Sequence, residues 1–482
     1  MRAADDVSVF LRRIGELVTR APVSCGPSTS AAEVAALMSQ EGVGSVLVLA
    51  DGKPIGIVTD RDLRRKVVAE ARDARTTPAT DLMSSPVVSV PAQAFVLDAL
   101  VQMTRRGIHH LAVTSEDRCI GVVSASDVLR LELPHPVGLA RAIGAAPSLD
   151  ALTRLASEVT RVVGRLVRAG AAAYDIGALV AELNDQLVQR VLDLTAAQLV
   201  DTGQHAPLPY CWLTFGSEAR REQTLRTDQD NGLVYADPSP GDAAATAAYY
   251  ARFAQTAVRG LVTIGFPSCP GNIMASNPAL CRPLTGWLEN FGRWLDHPSP
   301  SEVLAASIHF DLRPVAGDVT LGRELSALIE REAPKRRVFL GLLARDVVSR
   351  PPPLTVFGRV ATRGGHVDIK GAAAMPLAGA ARVHALELAL PEVNTVERFR
   401  AAGTRGLYTP AEATEITDAY QHVLRLRLVH QLTQLDRGVP PDNLIEPRTL
   451  SRADGLLLRD AFRTVSVVQA GLRERFRTDL LG

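Results

Sequence analysis

The strongest constraint on this chain is an internal repeat at a fixed offset of 65 residues. Val43-Gly44-Ser45-Val46-Leu47-Val48 aligns with Ile108-His109-His110-Leu111-Ala112-Val113, and Met38 aligns with Met103. Further on, Gly56-Ile57-Val58-Thr59-Asp60-Arg61-Asp62-Leu63 aligns with Gly121-Val122-Val123-Ser124-Ala125-Ser126-Asp127-Val128. Each copy reads as helix, apolar strand, turn, second strand, then a helix beginning at Thr59 or Ser124. Two such copies imply pseudo-twofold packing of neighbouring units.

A hydroxyl at a helix start can join backbone N–H groups in holding a phosphate. A carboxylate three residues later can accept both hydroxyls of a ribose. The same residue types at the same spacing also make plain N-caps with an acid in the first turn. The twice-present Gly-h-h-Thr/Ser-x-x-Asp pattern resembles a CBS-domain pair over residues 15–135. The resemblance implies clefts for an adenosine nucleotide such as AMP or ATP, with Thr59, Asp62, Ser124 and Asp127 at the ligand. It also implies a homodimer formed through the pair. His109-His110 lies on a repeat strand, lacks metal-ligand spacing and reads as structural.

Beyond Pro134, Pro136 and Pro147, apolar residues recur at helical spacing from Leu152 through Leu155, Val159, Val162, Val163 and Leu166. That marks a helical connector over 140–200. After Thr202-Gly203-Gln204-His205-Ala206-Pro207 the chain alternates strands and helices. Past Pro334 it is mostly helical to the end.

The chemically richest segment runs from Tyr210 to Tyr235. An apolar strand breaks at Gly216-Ser217, a short helical stretch follows, and a second strand is expected to carry Asp228 and Asp230. Residues i and i+2 of a strand share a face, so both carboxylates converge on one point. Two adjacent carboxylates repel unless a cation sits between them, and hard oxygen ligands suit Mg²⁺. Gly216 allows close backbone approach, and Ser217 opens a helix whose free N–H groups face an anion. Arg221, or Arg220 beside it, would neutralise phosphate charge; both could equally be solvated. Such an arrangement is what two-metal nucleotidyl transfer requires.

This segment is similar to the Gly-Ser…Asp-x-Asp signature of the DNA polymerase β-type nucleotidyltransferase superfamily. The likeness is closer to CBS-linked nucleotidyltransferases related to bacterial protein-PII uridylyltransferase. It extends through Cys269-Pro270-Gly271-Asn272, Phe310-Asp311-Leu312-Arg313-Pro314, Asp368-Ile369-Lys370-Gly371, Thr395-Val396-Glu397-Arg398-Phe399 and Leu424-Arg425-Leu426-Arg427. The superfamily usually adds a third carboxylate. Ser307–Asp311 alternates like a strand and ends in an acid, so Asp311 is the candidate, with Asp237 and Asp318 as weaker ones; an ion pair between Asp311 and Arg313 is the competing reading. Gln229 and Asn231 are polar where buried strands place apolar residues, which suggests an open, partly solvated strand end. Cys269-Pro-Gly-Asn reads as a loop near the nucleotide or as a plain turn. Lys370 is able to reach a triphosphate or to sit on the surface, and Arg398, Arg425 and Arg427 are able to face the cleft or solvent.

The expected architecture is multi-domain α/β plus α. A tandem CBS pair (15–135) and a helical connector (140–200) precede a polymerase β-like nucleotidyltransferase core (203–333) and a C-terminal helical substrate-binding bundle (335–482). The expected activity is Mg²⁺-dependent transfer of a nucleoside monophosphate from a nucleoside triphosphate to a protein or small-molecule hydroxyl. Asp228, Asp230 and Asp311 would hold metal, and Gly216, Ser217 and Arg221 would hold phosphate. By resemblance, a PII-like signal protein is a candidate acceptor. The alternatives are a non-catalytic nucleotide sensor and a small-molecule transferase of the antibiotic-modifying kind.

Composition narrows the field by exclusion. The 53 Lys and Arg against 52 Asp and Glu give a net charge of +1, which argues against a dedicated nucleic-acid binder. No stretch approaches the roughly 20 apolar residues of a membrane span. The first 13 residues carry Asp5 and Asp6 and do not read as a secretory signal. Five cysteines without CxxC spacing give no disulfide framework. A cytoplasmic setting is expected.

Overall fold

The computed structural model describes residues 12–116, 118–125, 127, 136–225, 228–355 and 357–480. Residues 1–11 of the N-terminal stretch read above, Ser126 and Val128 at the close of the second repeat, and Arg226-Thr227 inside the Gly-Ser…Asp-x-Asp segment lie outside them. The chain divides into two compact units, one up to Arg141 and one from Ala142 onward.

The first unit repeats one topology twice. Strands β1 (Ser24–Cys25), β2 (Ser45–Ala50) and β3 (Lys53–Thr59) form a sheet in that order, with helix α1 (Ala31–Glu41) between β1 and β2. Strands β4 (Ser89–Pro91), β5 (His110–Ser115) and β6 (Arg118–Ser124) form the second, with α2 (Val96–Arg106) between β4 and β5. In each, the first pair is parallel and the second antiparallel. Both helices stop at a left-handed glycine, Gly42 and Gly107, each with φ of 61°. Alternation puts Val46, Val48 and Val58 into a core closed by Val34, Met38 and Leu82. The sequence repeat is thus a structural one. Helix α3 (Pro136–Gly144) spans the boundary between the two units.

In the second unit, α4 (Leu149–Arg168) and α5 (Ala173–Asp201) form the connector. Helix α5 buries Leu179, Leu183, Leu187, Val191 and Leu199. A four-stranded sheet follows: β7 (Tyr210–Phe215), β8 (Asn231–Tyr235), β9 (Cys281–Pro283) and β10 (Leu312–Gly317), in the order β10-β7-β8-β9. Only the β8–β9 pairing is parallel. Helices α6 (Ala243–Thr263), α7 (Leu284–Asp296), α8 (Pro300–His309) and α9 (Val319–Glu332) connect and cover it. Strand β7 is buried along nearly its whole length, with Trp212, Leu213 and Phe215 fully enclosed.

The helical region comprises α10 (Arg337–Val348), α11 (Met375–Glu387), α12 (Thr395–Thr404), α13 (Pro410–Asp436) and α14 (Arg452–Phe476). A short ribbon, β11 (Val367–Asp368) with β12 (Leu444–Ile445), leads into a π-turn over Lys370–Ala374. Connector, sheet and helical region belong to one compact unit. Among the described residues no helix is long and apolar enough to cross a membrane.

One expected strand is a helix. Ser299 and Glu302 form a capping box with Pro300 in the first turn, so the chain is helical through His309. Asp311 therefore sits on the turn into β10 rather than at the end of a strand beginning at Ser307.

Candidate active site

Three segments converge at the end of β7. The backbone turns at Gly216, whose φ of +56° is left-handed; a Cβ there would lie 3.4 Å from Asp230 Oδ2. Glycine at this position lets the chain pass directly under that carboxylate. The Asp-x-Asp pair lies just before β8, pinned by a parallel bridge from Gln229 to Ser268 and by the Phe215 amide donating to the Asp230 carbonyl at 2.9 Å. Gln229 is buried, Asp228 exposed and Asp230 half-buried, as alternation about Gln229 requires.

The polar residues flanking Asp230 do not mark a solvated strand end. Gln229 and Asn231 are 1% and 2% exposed. Asn231 Nδ2 donates to Gln229 Oε1 at 3.0 Å, and Asn231 Oδ1 accepts the Ala275 amide at 2.8 Å. The Asn231 amide donates to the Ile273 carbonyl at 3.0 Å. The Asn231 side chain and backbone, braced by Gln229, thereby clamp the Cys269–Ala275 loop against the site, and the Cys269 thiol is hydrogen-bonded to the Asp230 carboxylate. Burial raises the Asp230 carboxyl; the thiol opposes that rise and the charge of Asp228 adds to it.

Asp311 is a correction. It is fully buried, and its carboxylate accepts from Arg220 Nη1 and Arg382 Nη2 on Oδ2 and from Arg398 Nη1 on Oδ1, each at 2.6 Å. Burial pushes this carboxyl upward, but the guanidiniums of Arg382, Arg398 and Arg220 together hold it well below the usual range. Its oxygens are committed to cations of the protein itself. Among the described residues no group of three or more His, Cys, Asp or Glu side chains is arranged to hold a metal. The anticipated pairing of Asp311 with Arg313 does not form either, because Arg313 makes a bidentate pair with Asp185 on α5 at 2.6 and 2.9 Å. Asp237 and Asp318 cap turns by accepting from Thr285 and Thr320.

The anticipated phosphate residues also divide. The Gly216 amide donates to the Asp311 carbonyl at 3.0 Å, so it is not a free donor. Arg221, with φ of 58°, turns toward Glu182 on α5 at 3.6 Å, away from the role assigned to it. Ser217 stays beside the carboxylate pair by position, one residue past Gly216. Arg220 is locked by Glu222 at 2.7 Å as well as by Asp311. Glu222 in turn accepts from Tyr420 Oη and from the Thr395 amide, both at 2.6 Å. This network, of which the sequence disclosed Asp311, Arg220 and Arg398 as residues but not their pairing, fastens the sheet to α11, α12 and α13.

Glu218 was not anticipated from the sequence, whereas Lys370 was. Glu218 is 4% exposed; burial, then Asp185, raises its carboxyl to about 8. It is therefore a neutral acid at pH 7 and accepts from the Asp230 amide. Lys370 is exposed at the rim, within electrostatic reach of Asp228 and Asp230; desolvation and the charge of Arg427 lower its ammonium. Arg427 is buried, whereas Arg425 forms a pair with Asp454.

Mg²⁺ commonly uses one or two carboxylates and completes its shell with water and substrate phosphates. Asp228 and Asp230 fit that donor set. A three-carboxylate cage including Asp311 does not fit.

In the first unit, Thr59 and Ser124 are N-caps in closed boxes. Asp62 Oδ2 accepts from the Thr59 amide and hydroxyl at 3.0 and 2.7 Å; Asp127 Oδ2 accepts from those of Ser124 at 2.8 and 2.7 Å. Only the second pair lines the cavity of about 470 Å³, together with Asp60, His109, His110, Arg20 and Arg141. His109 Nε2 lies 2.8 Å from Arg141 Nη2. The paired histidines thus face a cavity rather than serving only the strand.

Family likenesses cover the chain in four stretches. Residues 14–69 and 79–133 each match the CBS domain. Residues 157–301 match the family described as "Putative nucleotidyltransferase DUF294", and residues 337–476 match "Putative nucleotidyltransferase substrate binding domain". An uncharacterized protein of Methanopyrus kandleri is 35% identical over 121 residues, which is 25% of this chain and 62% of that protein. The CBS domain-containing protein YhcV of Bacillus subtilis is 29% identical over 115 residues, 24% of this chain and 81% of its own. Among solved structures, a CBS domain protein of Pyrobaculum aerophilum complexed with AMP is 31% identical across 24% of this chain and 89% of that one, with a TM-score of 0.23.

Proposed function

We propose that this chain, in which a CBS pair precedes a nucleotidyltransferase domain and its substrate-binding partner, moves a nucleoside monophosphate from a triphosphate to a hydroxyl. The acceptor is a protein or a small molecule, as in the protein-PII uridylyltransferase type. Mg²⁺ serves the transfer, and an adenosine nucleotide in the CBS cavity regulates it. The observation that carries the reading is the Asp228–Asp230 pair, one carboxylate exposed and the other poised over the left-handed turn at Gly216.

In this reading the acceptor oxygen forms a bond to the α-phosphorus while the bond to the pyrophosphate oxygen breaks. The acceptor proton passes to Asp230, the half-buried member of the pair. Asp228, exposed beside it, is the open side of the cation site. When bound, Mg²⁺ would supply charge stabilisation to the transferring and departing phosphates. Neutral Glu218 holds the Asp230 amide, and the Asn231 clamp holds the facing loop, so the carboxylate's position is fixed before substrate arrives.

The test is pyrophosphate release by the full chain with each nucleoside triphosphate, Mg²⁺ and a cell extract as acceptor source. Release is expected with at least one triphosphate, falling about 100-fold or more in Asp228→Ala. One observation favours a second reading, a nucleotide sensor without turnover: Asp311 is sealed away, which leaves two carboxylates where the superfamily usually uses three. Triphosphate binding with no release under any condition would establish the sensor and remove the transferase.

A further inference from the structure

We infer that Lys370 and Arg427, which the helical region places beside the segment leading into the Asp228–Asp230 pair, form the subsite for the polyphosphate chain of a nucleoside triphosphate. The inference rests on the transferase reading of the same site and assigns it residues that this reading does not supply.

Arg427 stands apart from the other enclosed arginines. Among the described residues three arginines are less than a tenth exposed: Arg382, Arg398 and Arg427. The first two hold Asp311 at 2.6 Å. Arg427, 5% exposed, holds no acid. Its Nε donates to Asn443 Oδ1 at 3.0 Å and its Nη2 to Thr224 Oγ1 at 3.4 Å, both neutral acceptors. Asp368 and Glu222 act on it only from a distance, without an ion pair; a buried guanidinium that contacts no acid is unfavourable and suits an anion brought in by a ligand.

A second cation deepens that imbalance. Lys370 opens the π-turn Lys370–Ala374, against which α13 packs. Asp368 Oδ1 is occupied by the amides of Lys370 and Gly371 at 3.0 and 3.1 Å. Lys370 Nζ has no ion pair or hydrogen bond of its own among the described residues, yet it feels the charges of Arg427, Asp228, Asp230 and Asp368. Thr224, which holds Arg427, lies four residues before Asp228 on the same segment. Two carboxylates suited to a hard cation therefore lie near two cations that make no ion pair among the described residues. A linear polyanion answers both halves, with its cation-bound end at the carboxylates and its far phosphates at Lys370 and Arg427. A single phosphate would satisfy only one.

The test is titration calorimetry of inorganic tripolyphosphate into the full chain without metal. Binding is expected, and Lys370→Ala and Arg427→Gln should each weaken it by about tenfold or more. Tryptophan fluorescence checks that Arg427→Gln is folded; Lys370 is exposed, so its variant keeps the test open if Arg427→Gln fails to fold. Absence of tripolyphosphate binding in the wild type overturns the inference, as does an unchanged affinity in Lys370→Ala or equal affinity for orthophosphate. Lys370-dependent binding without pyrophosphate release from any triphosphate would keep this subsite and remove the transferase reading. Release with Lys370-independent binding would do the reverse.

Discussion

Replacing Asp311 with asparagine separates two roles that carry opposite consequences. As the keystone of three guanidiniums, its loss leaves Arg220, Arg382 and Arg398 enclosed around a neutral amide whose own N–H groups point at donors. Removing one partner of a buried ion pair costs about 3–5 kcal/mol. Because Asp311 is 0% exposed, no screening by solvent reduces that figure. Total stability of a folded unit is about 5–15 kcal/mol, so the change is a large share of it. With a urea slope of about 3 kcal/mol/M, the unfolding midpoint should fall by about 1–2 M. All three tryptophans, Trp212, Trp287 and Trp294, lie in the second unit, so their fluorescence reports on that unit alone. The sign of the pH dependence follows from the depressed carboxyl: its contribution is present above the unfolded value of about 4 and is lost as pH falls below it toward the folded value. Wild type should thus lose its advantage over Asp311→Asn in acid. A midpoint unchanged within about 0.2 M, together with loss of metal binding, would refute the keystone and restore Asp311 as a metal ligand.

Other outcomes follow from the same geometry. Glu218→Gln should flatten the dependence of stability on pH between about 4 and 8, because the native carboxyl, raised to about 8, loses stability as pH climbs through that window; parallel profiles for both proteins would exclude the raised value. Asn231→Ala leaves the Ala275 amide and Gln229 Oε1 without partners and should cost about 1–3 kcal/mol by urea titration, with faster proteolysis within 269–275 as the companion readout. In the first unit, Asp127→Ala should weaken AMP binding by calorimetry while Asp62→Ala leaves it within about threefold, since only the Ser124–Asp127 pair lines the cavity; equal losses would show that both pairs serve the ligand.

The sequence disclosed features that recur or alternate. A fixed offset carried the paired sheets of the first unit down to the matching glycines Gly42 and Gly107 that end their helices. The Gly216 turn and the Asp-x-Asp pair were legible because both are local. Asp311 was misread because alternation over five residues resembles a strand, while Ser299, Pro300 and Glu302 just upstream dictate a helix. Its partners Arg382 and Arg398 stand 71 and 87 residues away, so no spacing rule could bring them to it. Gln229 and Asn231 looked solvent-facing because burial of a polar side chain depends on who satisfies it, here each other and a loop more than 40 residues on. Arg427 was visible as a residue, but its lack of an acid is a property of folded surroundings.

The junction at Asp311 also restricts how such a chain can be reassembled by recombination. One gene segment supplies the carboxylate and Arg220; a later one supplies Arg382 and Arg398. A swap that places an unrelated helical region behind this sheet would leave the carboxylate with one guanidinium in place of three. The reciprocal product would bury two guanidiniums against nothing. A stable exchange of these segments therefore requires a donor that carries both arginines in register.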